Sequence, residues 1–122
     1  MSKSITIDGV EYVAKSEAGN NQPAKTLKGL KYVMCRTYSA GVFAGYLQSQ
    51  NGQEVELLKA RRIWYWAGAA SLSQLATEGT SAPQNCKFPC EVESVILTQV
   101  IEIIPITSRA QDSIASVLIW KE

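Results

Sequence analysis

Apolar and polar residues alternate with period two along much of the chain, a rhythm that predicts strands. Residues 5–7 and 10–13 bracket Asp8-Gly9, a dipeptide that tolerates positive φ, so an N-terminal β-hairpin arm is expected over residues 1–13. Residues 14–30 read as a flexible connector, because Glu17, Gly19, Asn20, Asn21 and Pro23 interrupt any hydrophobic period. A single domain is expected over residues 31–122. Within it, residues 31–38 set Tyr32, Met34, Arg36 and Tyr38 against Val33, Cys35 and Thr37, as a strand with two usable faces requires.

Asn51-Gly52 lies between two further extended runs and predicts a tight hairpin. With Gln50 facing Gln53, Tyr46 stands opposite Leu57 and Gln48 opposite Val55, and Val42, Ala44, Tyr46, Val55 and Leu57 form one core-facing surface. Beyond Leu57 the alternation slips. A bulge within residues 58–60 would re-aim the side chains that follow.

Two helices are predicted. Ser71 and Gln74 have the spacing of a capping box, Leu75-Ala76 follows, and Gly79 is a stop, which gives about two turns. Ser108 and Gln111 repeat that spacing, with Ala110, Ile114, Val117 and Leu118 at helical intervals, although the run up to Trp120 also suits an extended end. Residues 91–106 are apolar on both faces, as in a doubly covered central strand or two strands joined by a kink. Glu102 inside that stretch calls for a basic partner among Arg36, Arg61 and Arg62. The expected fold class is α+β: a small antiparallel β-sheet or partly open barrel, with a short helix after the Trp-rich strand and a C-terminal helix.

Charge and composition narrow the chemistry. The 122 residues carry 12 basic and 11 acidic groups, a balance that gives little support to general coating of nucleic acid. No apolar run approaches a membrane span and no secretory leader is visible, so a cytoplasmic protein with reduced Cys35, Cys86 and Cys90 is expected. The sequence has no histidine, which removes the usual general base, the imidazole ligand and every Ser-His or Cys-His pair. The acidic residues show no paired or metal-ligand spacing. No catalytic residue, metal or cofactor is assigned.

The chemistry-bearing segment is Arg61-Arg62-Ile63-Trp64-Tyr65-Trp66-Ala67-Gly68-Ala69-Ala70-Ser71. Indole faces stack on bases, guanidiniums fork onto phosphates, and N–H groups at a helix start attract anions. Trp64, Trp66 and Tyr38 are the expected stacking surfaces. Arg36, Arg61 and Arg62 are the expected phosphate contacts, and Ser71 with the Gly68 backbone is the expected anion cradle. The same rings also suit plain core packing, and the small residues also suit a tight helix entry.

The run Arg36-Thr37-Tyr38-Ser39-Ala40-Gly41-Val42, then Asn51-Gly52, then residues 61–76, resembles a family of small proteins of bacteriophages and prophages described as a domain of unknown function. The likeness extends over residues 32–120, through Cys86-Lys87-Phe88-Pro89 and Ile101-Glu102-Ile103-Ile104-Pro105. It implies a small accessory phage protein in the host cytoplasm, with anti-defence action by sequestering a small nucleotide signal without turnover. At 122 residues self-association would help the fold, so a homo-oligomer is expected. Three alternatives stand beside this reading: a single-stranded nucleic-acid binder, a structural or assembly protein that uses the tryptophans as a subunit contact, and, last, a hydrolase, against which the spacing of the acidic residues speaks.

Overall fold

The computed structural model describes residues 22–122, together with the backbone pairing of two N-terminal strands, β1 (Ser4–Ile7) and β2 (Val10–Val13). Ile7 pairs with Val10 in that antiparallel hairpin, while the Asp8-Gly9 turn and residues 14–21 of the connector lie outside the described residues. The rest of the connector is bonded to the body, since Ala24 N–H donates to the Ile106 carbonyl at 3.1 Å and Ser108 N–H to that of Gln22 at 2.7 Å.

The body is an α+β fold. Five antiparallel strands, β3 (Tyr32–Thr37), β4 (Val42–Asn51), β5 (Glu54–Ile63), β6 (Glu91–Leu97) and β7 (Val100–Pro105), form an open sheet in the order β6-β5-β4-β3-β7. The helices are α1 (Leu72–Glu78) and α2 (Ser108–Ser116). β6 and β7 follow each other directly, joined only by Thr98 and Gln99, yet occupy opposite edges of the sheet. Such a link requires the sheet to curl until its edges meet at one end. Two bonds hold that end: Tyr38 N–H donates to the Gln99 carbonyl at 2.9 Å, and Val100 N–H to that of Gln53 at 3.0 Å.

Register shifts that bend the sheet occur between Arg36 and Thr37 in the β3–β7 ladder and at two places in the β4–β5 ladder. One extra residue enters β5 between the Tyr46–Leu58 and Ala44–Arg61 pairs, and one enters β4 between the Leu47–Leu57 and Ser49–Glu56 pairs. Lys59 adopts φ +51° at the first. Gly45 faces it, where a Cβ would meet Ala60, Leu57 and Leu58 all at 3.1 Å, so the bend needs a residue without a side chain there. The predicted bulge within residues 58–60 is therefore present. The hairpin register is not the expected one: Asn51 pairs with Glu54, Gly52 and Gln53 make the turn, and Tyr46 faces Leu58.

Bending divides the interior into two cores. Met34, Val42, Ala44 and Ile63 pack with Leu75, Ala76, Phe88, Ala110 and Ile114 beneath the helices. Val33, Cys35, Phe43, Val55, Leu57, Leu97 and Val100 fill the inside of the curl. The single face expected from Val42, Ala44, Tyr46, Val55 and Leu57 is thus split between the two cores, with Tyr46 half-buried outside both. Fully burying a side chain such as Phe88 or Leu57 stabilises the fold by about 1.5–3 kcal/mol.

The first helix begins as read. Ser71 Oγ accepts from Gln74 N–H at 3.2 Å, and Gly79 closes α1 at φ +81°. For α2 the cap is Thr107, one residue before the expected serine. Ala110, Ile114 and Val117 are buried, but Leu118 is 86% exposed, because the chain leaves the helix after Ser116 and turns extended. Of the two alternatives for residues 91–106, two strands are found and not a central one; both lie at edges of the sheet, and Val92, Ile96 and Ile101 are exposed. No helix among the described residues is long and apolar enough to cross a membrane.

Candidate functional site

The bulge at Lys59 decides where the arginines go. The extra residue shifts the parity of β5, so that Ala60 joins Leu57 inside the curl while Arg61 and Ile63 turn toward the helices. Arg61 is only 8% exposed. All three of its guanidinium nitrogens donate to backbone carbonyls: Nε to Pro89 at 3.0 Å, Nη1 to Ile114 at 2.8 Å, and Nη2 to Phe88 at 3.2 Å and Val117 at 2.7 Å. Ile114 and Val117 lie at the end of α2, where unpaired carbonyls and the helix dipole favour a cation. Burial lowers the Arg61 pKa, opposed by Tyr32, Glu91 and Cys90, but a guanidinium remains charged at neutral pH.

Arg62 points the other way. Its Cζ lies 4.3 Å from the centroid of the Phe43 ring, and Nη1 donates to the Ala40 carbonyl at 2.6 Å. That carbonyl belongs to the β3–β4 turn, which is tied by Thr37: its N–H donates to the Gly41 carbonyl at 2.9 Å, and its Oγ1 accepts from Ala40 N–H at 2.8 Å. Gly41 takes φ +95°. Tyr38, on the same turn, is 77% exposed. Arg36 lies at the end of β3 and donates from Nε to Glu102 Oε1 at 3.0 Å, so Arg36 is the basic partner Glu102 requires.

Because Val42 pairs with Ile63, Trp64 comes level with Gly41 and belongs to this same end of the sheet. Trp64 is 61% exposed and stacks on Trp120, with ring centroids 6.3 Å apart and planes 9° from parallel. Lys87 Nζ stands 5.5 Å from the Trp120 centroid. Two isolated bridges assemble this group, Tyr65 with Lys87 and Phe88 with Ile119. Sequence reasoning missed both Lys87 and Trp120. The available signals were a third tryptophan after an apolar run and a lysine within Cys86-Lys87-Phe88-Pro89, but neither shows its distant partner.

The remaining expected residues stand apart. Trp66 is half-buried against the helix-side core. Gly68 takes φ +80°, and a Cβ there would collide with the backbone of Ser81 and Ala82, whose loop closes over it. Ser71 caps α1 by accepting from Gln74 N–H, and Gln74 Oε1 accepts from Ala70 N–H at 2.7 Å, so two N–H groups of this turn are answered locally. The structure therefore brings Arg36, Tyr38, Arg62 and Trp64 to one end, places Arg61 and Trp66 inward, and keeps Gly68 and Ser71 at the entry to α1. Cys35, Cys86 and Cys90 are free, and no group of three metal-ligating side chains occurs among the described residues.

A small α+β protein with a curled five-stranded sheet and an aromatic, cationic end is what these features define. The chain belongs to the family described as Domain of unknown function (DUF6948), whose family model matches residues 30–114. The match takes in the whole sheet and α1, and stops before Trp120. No curated protein and no solved structure matches the chain.

Proposed function

We propose that the chain is a non-catalytic binding protein that sequesters a small phosphorylated nucleotide at the Gly41 end of its sheet. One observation carries this reading: exposed Tyr38 and Trp64 share that end with Arg36, Arg62 and Lys87. Stacking a base on an aromatic ring is worth about 1–3 kcal/mol and requires no proton transfer. Arg36 is held only by an exposed carboxylate, which a phosphate can replace with the same fork geometry. The surface is open in one protomer, so the reading includes enclosure by a second copy. Exposed Leu118 and Ile119 beside Trp120 supply apolar area for that contact. In the host cytoplasm, such a phage protein would keep a nucleotide signal from its defence effector.

The test incubates the full-length protein with cyclic dinucleotides and NAD-derived cyclic nucleotides, removes unbound ligand, and assays heat-released nucleotide by mass spectrometry. Intact nucleotide is expected from the wild type, with retention reduced about tenfold or more in Trp64→Ala and Arg62→Ala. No retention across the panel overturns the reading, and degraded nucleotide overturns its non-catalytic part.

The stack itself favours a second reading as a subunit contact. Trp120 already packs against both Trp64 and Lys87, which reduces the ring area left for a ligand. An oligomer that forms without nucleotide and dissociates in Leu118→Lys would support assembly alone. Binding of short single strands that weakens steeply with salt would point to nucleic acid instead.

A further inference from the structure

A hollow of about 610 Å³ lies away from the Gly41 end, between the segment before β3 and the bulged part of β5. Its apolar lining is Leu27, Leu30 and Leu58, and its charged residues are Lys28, Lys59 and Glu93. The volume falls within the range of small-molecule sites. An independent feature marks the same place. Among the described residues, the two non-glycine positions with positive φ are Lys28 and Lys59, both at +51°, and both line this hollow.

The two arise separately. Lys28 occupies the turn closed by the Leu27–Leu30 bridge, and Lys59 occupies the β5 bulge. Asparagine, aspartate and glycine are the residues that favour a left-handed backbone, and lysine has no short polar group to compensate it. Two strained lysines converging from different segments on one apolar hollow fit the clustering of backbone strain at ligand clamps. Their charges are not equivalent. Lys59 Nζ is held by both carboxylate oxygens of Glu93, at 2.7 and 3.0 Å, whereas Lys28 makes no ion pair among the described residues. The lining thus combines three leucines with one net positive charge.

We propose that this hollow binds a small free amphiphilic anion, with its apolar body on Leu27, Leu30 and Leu58 and its acidic head at Lys28. The Lys59–Glu93 pair also lines the hollow, and its charges are satisfied by each other. This ligand is distinct from the nucleotide proposed for the other end.

The test titrates the full-length protein with 8-anilinonaphthalene-1-sulfonate, a fluorescent aromatic anion. One saturable site is expected, with decanoate displacing the dye and decylammonium failing to do so. Lys28→Glu should weaken binding about tenfold or more, and Leu58→Gln should do the same with an unchanged far-ultraviolet circular dichroism spectrum. Lys28→Gly separates ligand binding from scaffolding, because relief of the left-handed strain should raise Tm while binding weakens. Trp64→Ala should leave the dye affinity unchanged, which distinguishes this site from the Gly41 end. The proposal is overturned by absence of saturable binding, by affinity that survives both Lys28→Glu and Leu58→Gln, by loss of binding in Trp64→Ala, or by protein that sediments with phosphatidylglycerol vesicles while decanoate displaces nothing.

Discussion

Arg61 and Arg62 are consecutive, carry the same side chain, and have opposite fates. Arg61 enters the interior, where four backbone carbonyls use all three of its nitrogens, and half-buried Arg62 lies against the buried Phe43 ring with one carbonyl bond. The pattern recurs on β3, where Cys35 is buried inside the curl while Arg36 meets solvent and Glu102. In β5 one bulged residue assigns the two guanidiniums to opposite faces of the sheet. The interior member joins α2 to the loop at Phe88. The surface member keeps donors within reach of whatever approaches the Gly41 end.

Replacing each arginine tests the contrast most severely. Arg61→Ala removes a donor from each of four largely buried carbonyls, and a loss of about 3 kcal/mol is expected, seen as a fall in Tm of about 10 °C. Arg62→Ala should cost less than about 1 kcal/mol, and equal losses in parallel melts would dissolve the distinction.

On β3, pH is the probe. Burial raises the Cys35 thiol pKa to about 11 from its ordinary value of 9.0. The folded state therefore keeps a proton that the unfolded chain releases, so this contribution is intact below pH 9 and is lost as pH rises toward 11. That contribution is on the order of 2 kcal/mol, and the fall in stability between pH 8 and 10.5 should be smaller by about this amount in Cys35→Ala, the remainder belonging to Tyr32, whose pKa burial also raises, as read from urea midpoints. The smallest effect belongs to the exposed Arg36–Glu102 pair. Glu102→Gln should change stability by less than about 0.5 kcal/mol, and raising salt should erase the difference.

Local physics made part of this structure readable in the sequence. Alternation located β3, the Ser71, Gln74 and Gly79 pattern located α1 with its cap and stop, and the slip after Leu57 located the bulge. Register was not readable, because the turn closes on Gly52 and Gln53 rather than on Asn51 and Gly52, and the irregularity at Gln48, in a run of polar residues that has no apolar alternation to disturb, shifts the partners again. Nor did residues 91–106 reveal edge strands: strong β-formers look alike in the middle and at the margin of a sheet. At the Gly41 end, Arg36, Tyr38, Arg62 and Trp64 were identified from residue chemistry. Trp120 and Lys87 escaped because two bridges between distant segments seat them, and no local pattern encodes such bridges.

The two-residue link at Thr98 and Gln99 also governs how the molecule comes into being. β3 gains one neighbour from the adjacent β4, but the other, β7, is made only after β4, β5, α1 and β6 have all been translated. At ordinary ribosomal rates Met34 waits on the order of seconds for Ile104. During that interval the unfinished sheet has a bare margin, and the nascent chain cannot close until nearly its last strand emerges.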